Sequence, residues 1–224
     1  MGNNLSRGSL RLAHGWRLVE QSSVSPEIIR DFIRPAVRAV PRALAARFNS
    51  CRISLRPRLS DTTISSQWVH DGGELAIEVA SEGVDAHELT IEILLCLGQA
   101  LWKSAPAPAC DAYLKLLGEE IEAGIAGEID EESLQEKRAL LSSRASARSR
   151  IRLQRYARTS FAGTVAEYIH ALWHDVTVRT GPEHLPARSL RRRLELLALW
   201  FPPDRGHPLF PRGSADVIAG PMTD

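Results

Sequence analysis

Long apolar runs are missing from this chain. The longest lies within residues 89–102, short of the roughly 20 residues that a membrane-spanning helix needs, so no membrane partner is expected. No apolar leader follows the first residues, so no secretory signal is expected and the location reads as cytoplasmic. Cysteine is scarce. Cys51, Cys96 and Cys110 show no CxxC spacing. Cys51 and Cys96 sit within apolar patterns and read as buried free thiols. An excess of one charge is also missing: 28 Lys and Arg against 27 Asp and Glu give a net +1. No global field favours nucleic acid, which is not expected as a partner. Neither a GxSxG elbow, a P-loop nor a GxGxxG fingerprint occurs, and no cofactor is expected.

What is present is an ordinary globular composition, with 44% hydrophobic and 25% charged residues over 224 positions, enough for one large core. Residues 1–24 hold no sustained period and read as an N-terminal arm, with a short strand around Trp16 to Val19. The start Met1-Gly2-Asn3-Asn4-Leu5-Ser6 formally fits an N-myristoylation pattern, one short enough to match by chance. Residues 25–201 read as a single domain. Residues 202–224 are proline-rich and aperiodic and read as an irregular C-terminal tail.

Within the domain, Ser25-Pro26-Glu27 opens a helix with a good cap, a first-turn proline and a first-turn acid. Pro35 and Pro41 segment that helix over residues 26–48. The period then changes to two. Cys51, Ile53 and Leu55 alternate with Arg52, Ser54 and Arg56, which predicts a half-buried strand. A second strand is expected over Ser65 to His70, a hairpin turn at Asp71-Gly72-Gly73, and a third strand over 74–80. Asp85 and Glu88 make a capping-box spacing ahead of a helix that is apolar on nearly every side from Ile91 to Trp102. Helices follow over roughly 110–126, 130–141, 151–177 and 188–200. The fold class is α+β: a small, mainly antiparallel sheet packed against a helical bundle, with one central buried helix.

This order of elements resembles zincin metallopeptidases of the gluzincin branch, whose buried helix carries HExxH, often as HELGHAL. The matching stretch is Leu95-Cys96-Leu97-Gly98-Gln99-Ala100-Leu101. Leu95 and Gln99 stand where the two zinc-binding histidines would be, and Cys96 where the general base would be. Thr159-Ser160-Phe161-Ala162-Gly163 resembles the segment of the third ligand, again without a carboxylate. The resemblance implies a zincin-like fold whose metal site is emptied: leucine cannot coordinate, and neutral glutamine suits zinc poorly. It implies a non-catalytic peptide-binding, protein-binding or regulatory module. Its cleft would be lined by Leu75, Ile77, Val79, Gln99 and Phe161, with the 74–80 strand as the edge that accepts an extended peptide.

Three other features carry chemistry. Glu167, His170 and His174 share one helical face at spacings of three and four, which offers a metal-binding alternative. His87-Glu88 looks like the start of HExxH, but Ile91 occupies the second histidine position, and capping accounts for Glu88. Residues 119–136 are acidic, and the 144–158 strip carries Arg144, Arg148, Arg150, Arg152, Arg155 and Arg158. The strip offers an RNA-contacting alternative, against mutual pairing of acidic and basic faces. Arg191, Arg192 and Arg193 read as a solvated face beside the stripe Leu190, Leu194 and Leu197.

Overall fold

The computed structural model describes residues 9–19, 24–142, 147–174, 181–207 and 209, the side chains of 147–149 excepted. The myristoylation pattern and most of the tail lie outside these residues.

Alternation in the sequence becomes a sheet. Leu10–Arg11 (β1), Arg17–Val19 (β2), Ser50–Arg56 (β3), Ser66–Asp71 (β4) and Glu74–Ala80 (β5) form five strands in the order β1-β2-β3-β5-β4. The sheet is mixed: β1–β2 and β4–β5 are antiparallel, whereas β2–β3 and β3–β5 are parallel. The mainly antiparallel expectation holds for the β1–β2 and β4–β5 pairs and not for the two pairings of β3. β2 and β3 run parallel because the helical segments of residues 26–45 carry the chain back between them.

Two boundaries move. Trp16 and Leu18 are buried and β1–β2 belongs to the sheet, so residues 10–19 are part of the domain rather than an arm. At the other end, Asp204 accepts from the Arg42 amide, His207 Nδ1 lies 3.0 Å from the Leu172 carbonyl oxygen, and Leu209 is buried. The first residues of the tail therefore dock on the domain.

Pro41 breaks the helix as expected, whereas Pro35 sits in the first turn of a continuing helix and does not interrupt it. Helix α1 (Pro26–Ile28) is capped by the Ser25 hydroxyl, widens to a π turn over Ile29–Ile33 and continues as α2 (Arg34–Ala39) past Pro35. Pro41 separates it from α3 (Arg42–Ala45). Helix α4 (Ala86–Ser104) starts at Asp85, whose carboxylate accepts from the amides of His87 and Glu88 at 2.8 and 2.9 Å. This is one half of the capping box. The remaining helices are α5 (Ala107–Glu122), α6 (Glu131–Leu141), α7 (Ala147–Ala171) and α8 (Ala187–Trp200). Among the described residues no helix is long and apolar enough to cross a membrane.

Helix α4 lies between the sheet and α7. Leu89, Ile93, Leu94, Leu97 and Leu101 are buried on it, while Ile91, Glu92, Leu95, Gln99 and Trp102 form a half-buried stripe at helical spacing. Gly98 sets the approach to α7: a Cβ there would stand 2.7 Å from the Ala162 Cα and 2.9 Å from its carbonyl oxygen. Gly98 and Ala162 thus meet where α4 crosses α7.

Candidate binding cleft

Two polar regions lie on either side of the segment 127–131. The first is sealed. Arg193 is fully buried, and its guanidinium donates to Glu120, to both Glu128 oxygens at 2.8 and 2.9 Å and to Ser160 Oγ at 2.8 Å. Lys137 Nζ, also fully buried, donates to Glu128 at 3.1 Å and to the Gly127 carbonyl at 3.0 Å. The Tyr156 hydroxyl donates to Glu128. Two carboxylates face two cations, so the cluster is neutral and its members have partners. Burial pushes the Glu128 carboxyl up, but Arg193, Lys137 and Tyr156 outweigh it and hold the group at about 2. Arg193 is therefore not on a solvated face. Its neighbours Arg191 and Arg192 are partly exposed and pair with Glu195 and Glu119.

The second region is open. A cleft of about 370 Å³ lies between the first half of α4, the last half of α7 and the segments at 128–131 and 184–190. Its lining includes the carboxylates of Glu88, Glu92, Glu128, Asp130, Glu131 and Glu167 and the imidazoles of His87, His170 and His184, with no lysine or arginine. Helix geometry explains the set. His87 and Glu88 occupy the first turn of α4, and Glu167 and His170 lie one turn apart near the end of α7. A parallel bridge from Glu128 to His184 closes the floor, where Gly127 packs so tightly on the His184 backbone that a Cβ would overlap it.

His87 Nε2 and His170 Nε2 lie 3.2 Å apart, with the rings at 87°. His170 is 8% exposed, and its Nδ1 is buried without a hydrogen-bond partner among the described residues. Burial first, then the neighbouring His87 and His174, hold the His170 imidazole down at about 4, so it is neutral near pH 7. Asp130 caps α6 through Ser133 and is raised, chiefly by burial.

The residues singled out in the sequence fall in several places. Leu75, Ile77 and Val79 are core residues, at most 1% exposed, and line no cleft, because β5 lies inside the sheet between β3 and β4. Of the two hairpin strands, β4 is the one at an edge of the sheet; β1 is at the other edge. Phe161 is buried against Trp102 and Tyr113. Leu95 lines the acidic cleft. Cys96 is buried, which pushes its thiol up to about 12 and leaves no thiolate near neutral pH. Gln99 accepts from the Trp68 indole of β4 at 2.8 Å. Glu167 and His170 line the cleft but the exposed His174 does not, and among the described residues no three His, Cys, Asp or Glu side chains are grouped to hold a metal ion.

The arginine strip is only partly available. Arg144 and the Arg148 side chain lie outside the described residues. Arg152 donates to the Ala139 carbonyl. Arg150, Arg155 and Arg158 line a shallow groove with Trp102, Ile151 and Gln154.

Sequence reasoning missed His87 as a site residue and missed Trp68 and His184 altogether. No local signal pairs residues 87 and 170. No family model, no curated protein and no solved structure matches this chain.

Proposed function

We propose that this chain is a non-catalytic binding module on a degenerate zincin-like scaffold, and that it holds an extended peptide against the outer edge of β4. One observation carries the reading: β4 is the antiparallel end strand of the sheet, and it lies beside the half-buried stripe of α4. Among the described residues it pairs only with β5.

The register says which groups face outward. The Ala80 amide bonds the Ser65 carbonyl, so residues 67, 69 and 71 turn their backbone groups to β5. The amides and carbonyls of Ser66, Trp68 and His70 then point away from the sheet, which is the pattern that strand addition uses. Val69 is 65% exposed in mid-strand, an apolar side chain on an edge that solvated proteins usually blunt with charge.

The chemistry of α4 supports a binding role over hydrolysis. Leu95 and Gln99 share the half-buried stripe, and neither supplies an imidazole. The Gln99 amide is engaged by Trp68, which ties the edge strand to the helix at the position of the second zinc ligand in the zincin reading.

The test is selection from a random peptide library followed by hydrogen exchange on the complex. The expected result is a binder that slows exchange at Ser66, Trp68 and His70 and that fails when alternate peptide amides are N-methylated. A library that yields no binder, or protection confined to other elements, removes the reading.

A further inference from the structure

We infer that the peptide held at β4 is bipolar: a basic residue faces the Glu92 end of α4, and an acidic residue about four positions away faces the Trp102 end. The inference rests on the edge-strand reading above and adds to it the chemistry of the partner.

The half-buried stripe of α4 lies alongside β4 and is tied to it twice. Ser66 Oγ donates to Glu92 at 2.7 Å, and the Trp68 indole donates to Gln99 at 2.8 Å. The two ends of the stripe differ in charge. At one end Glu92 lines the acidic cleft with Glu88, Glu131 and Glu167. At the other the Lys103 ammonium stands 5.5 Å from the centroid of the Trp68 ring, and Arg150, Arg155 and Arg158 line the groove beside Trp102. Leu95 lies between the ends and gives the track an apolar middle. The helical rise puts Glu92 and Trp102 roughly 15 Å apart along the axis. An extended chain covers that span in about four residues, an even number that returns its side chains to the same face.

Two ordinary accounts of such charges are complementarity to the helix dipole and mutual pairing. The dipole favours carboxylates at a helix N-terminus and cations at its C-terminus, which suits Glu88 and Lys103 on α4. It does not suit α7. That helix runs antiparallel to α4, since residue 170 meets residue 87 and residue 162 meets residue 98. It carries Arg150 in its first turn and Glu167 near its end, the reverse of what its own dipole favours. Pairing does not account for the charges either. Among the described residues, the ion pairs of the acidic stretch 119–136 go to Lys137, Arg192 and Arg193, and none reaches residues 150–158. Arg158 acts on Glu132 through its field alone. Glu88, Lys103 and Arg155 are exposed. Charge is thus separated along one track, acid at one end and base at the other, and a partner with the opposite separation matches it.

The experiment selects binders from a random peptide library on the full wild-type chain and on two double variants, Glu88→Gln with Glu92→Gln and Lys103→Gln with Arg155→Gln. Three of the four positions are exposed, and glutamine at 92 keeps an acceptor for Ser66. Wild-type binders should carry Lys or Arg and Asp or Glu about four positions apart. The first variant should lose the selection for the basic residue only, and the second the selection for the acidic residue only. Each should weaken a wild-type binder by about two- to fivefold, the scale of exposed ion pairs, with the difference shrinking at high salt. Binders without the charge pair that still slow exchange at Ser66, Trp68 and His70 would overturn the inference and leave the edge-strand reading standing. Charged binders that neither variant weakens would overturn it as well. A library with no binder removes the edge-strand reading and this inference with it.

Discussion

The sealed cluster around Arg193 and the open cleft around His170 are separated by the thickness of one segment, and Glu128 belongs to both. In the cluster, each charge meets an opposite charge and spare hydrogen-bonding capacity goes to Ser160, Tyr156 or a backbone carbonyl. The cleft is lined by six carboxylates and by no lysine or arginine, and a buried imidazole keeps an unmatched nitrogen among the described residues. Buried polarity that is fully matched holds a fold in one arrangement. Buried polarity left incomplete is where a ligand finds its partners. Composition does not separate the two regions, and hydrogen-bond accounting does.

The largest expected effect tests the sealed side. Arg193→Met leaves Glu120 without its guanidinium partner and Glu128 with only Lys137 and the Tyr156 hydroxyl, and should cost about 3–5 kcal/mol in urea unfolding. A cost under 1 kcal/mol would mean that water reaches the cluster, and the contrast would fail.

Acid should separate the regions by pH. The His170 group sits near 4 in the folded chain against an ordinary value of 6.5, so the unfolded chain takes up its proton first. Its contribution is complete above about pH 6.5 and is lost as the pH falls toward 4. Glu128, held at about 2 against an ordinary 4.5, contributes fully above 4.5 and loses that contribution as the pH falls toward 2. Thermal melts across this range should show two successive losses, with His170→Gln removing only the upper one. A single loss below pH 4.5 in the wild-type chain would place His170 in an ordinary environment.

The smallest effect sharpens the open side. His87→Gln should change stability by no more than about 0.5 kcal/mol, as exposed substitutions do. A larger loss would make the histidine pair a structural contact.

Much of the fold was legible because it rests on local periodicity. The alternation at 51–56, the Gly72-Gly73 turn and the Asp85 cap all lie where the chain pattern puts them. Strand order was not legible. A hairpin can add to a sheet through either strand, and β5 pairs with β3, leaving β4 at the edge. Arg193 was misread through its residue type. It stands at the i+3 position of the stripe Leu190, Leu194 and Leu197, so helix geometry alone turns it inward. The meeting of His87 with His170 joins positions 83 residues apart, and only the packing of α4 on α7 brings it about.

The Arg193 cluster also has a consequence in time. Its carboxylates arrive with residues 120 and 128, and its guanidinium arrives only with α8. During synthesis α5, α6 and α7 exist before the charge that completes them, and the loops to be closed span 73 and 65 residues. Contacts of such long sequence separation form late, after the local helices and the β4–β5 hairpin. A nascent chain ending before α8 therefore holds Glu120 without its partner in the finished fold.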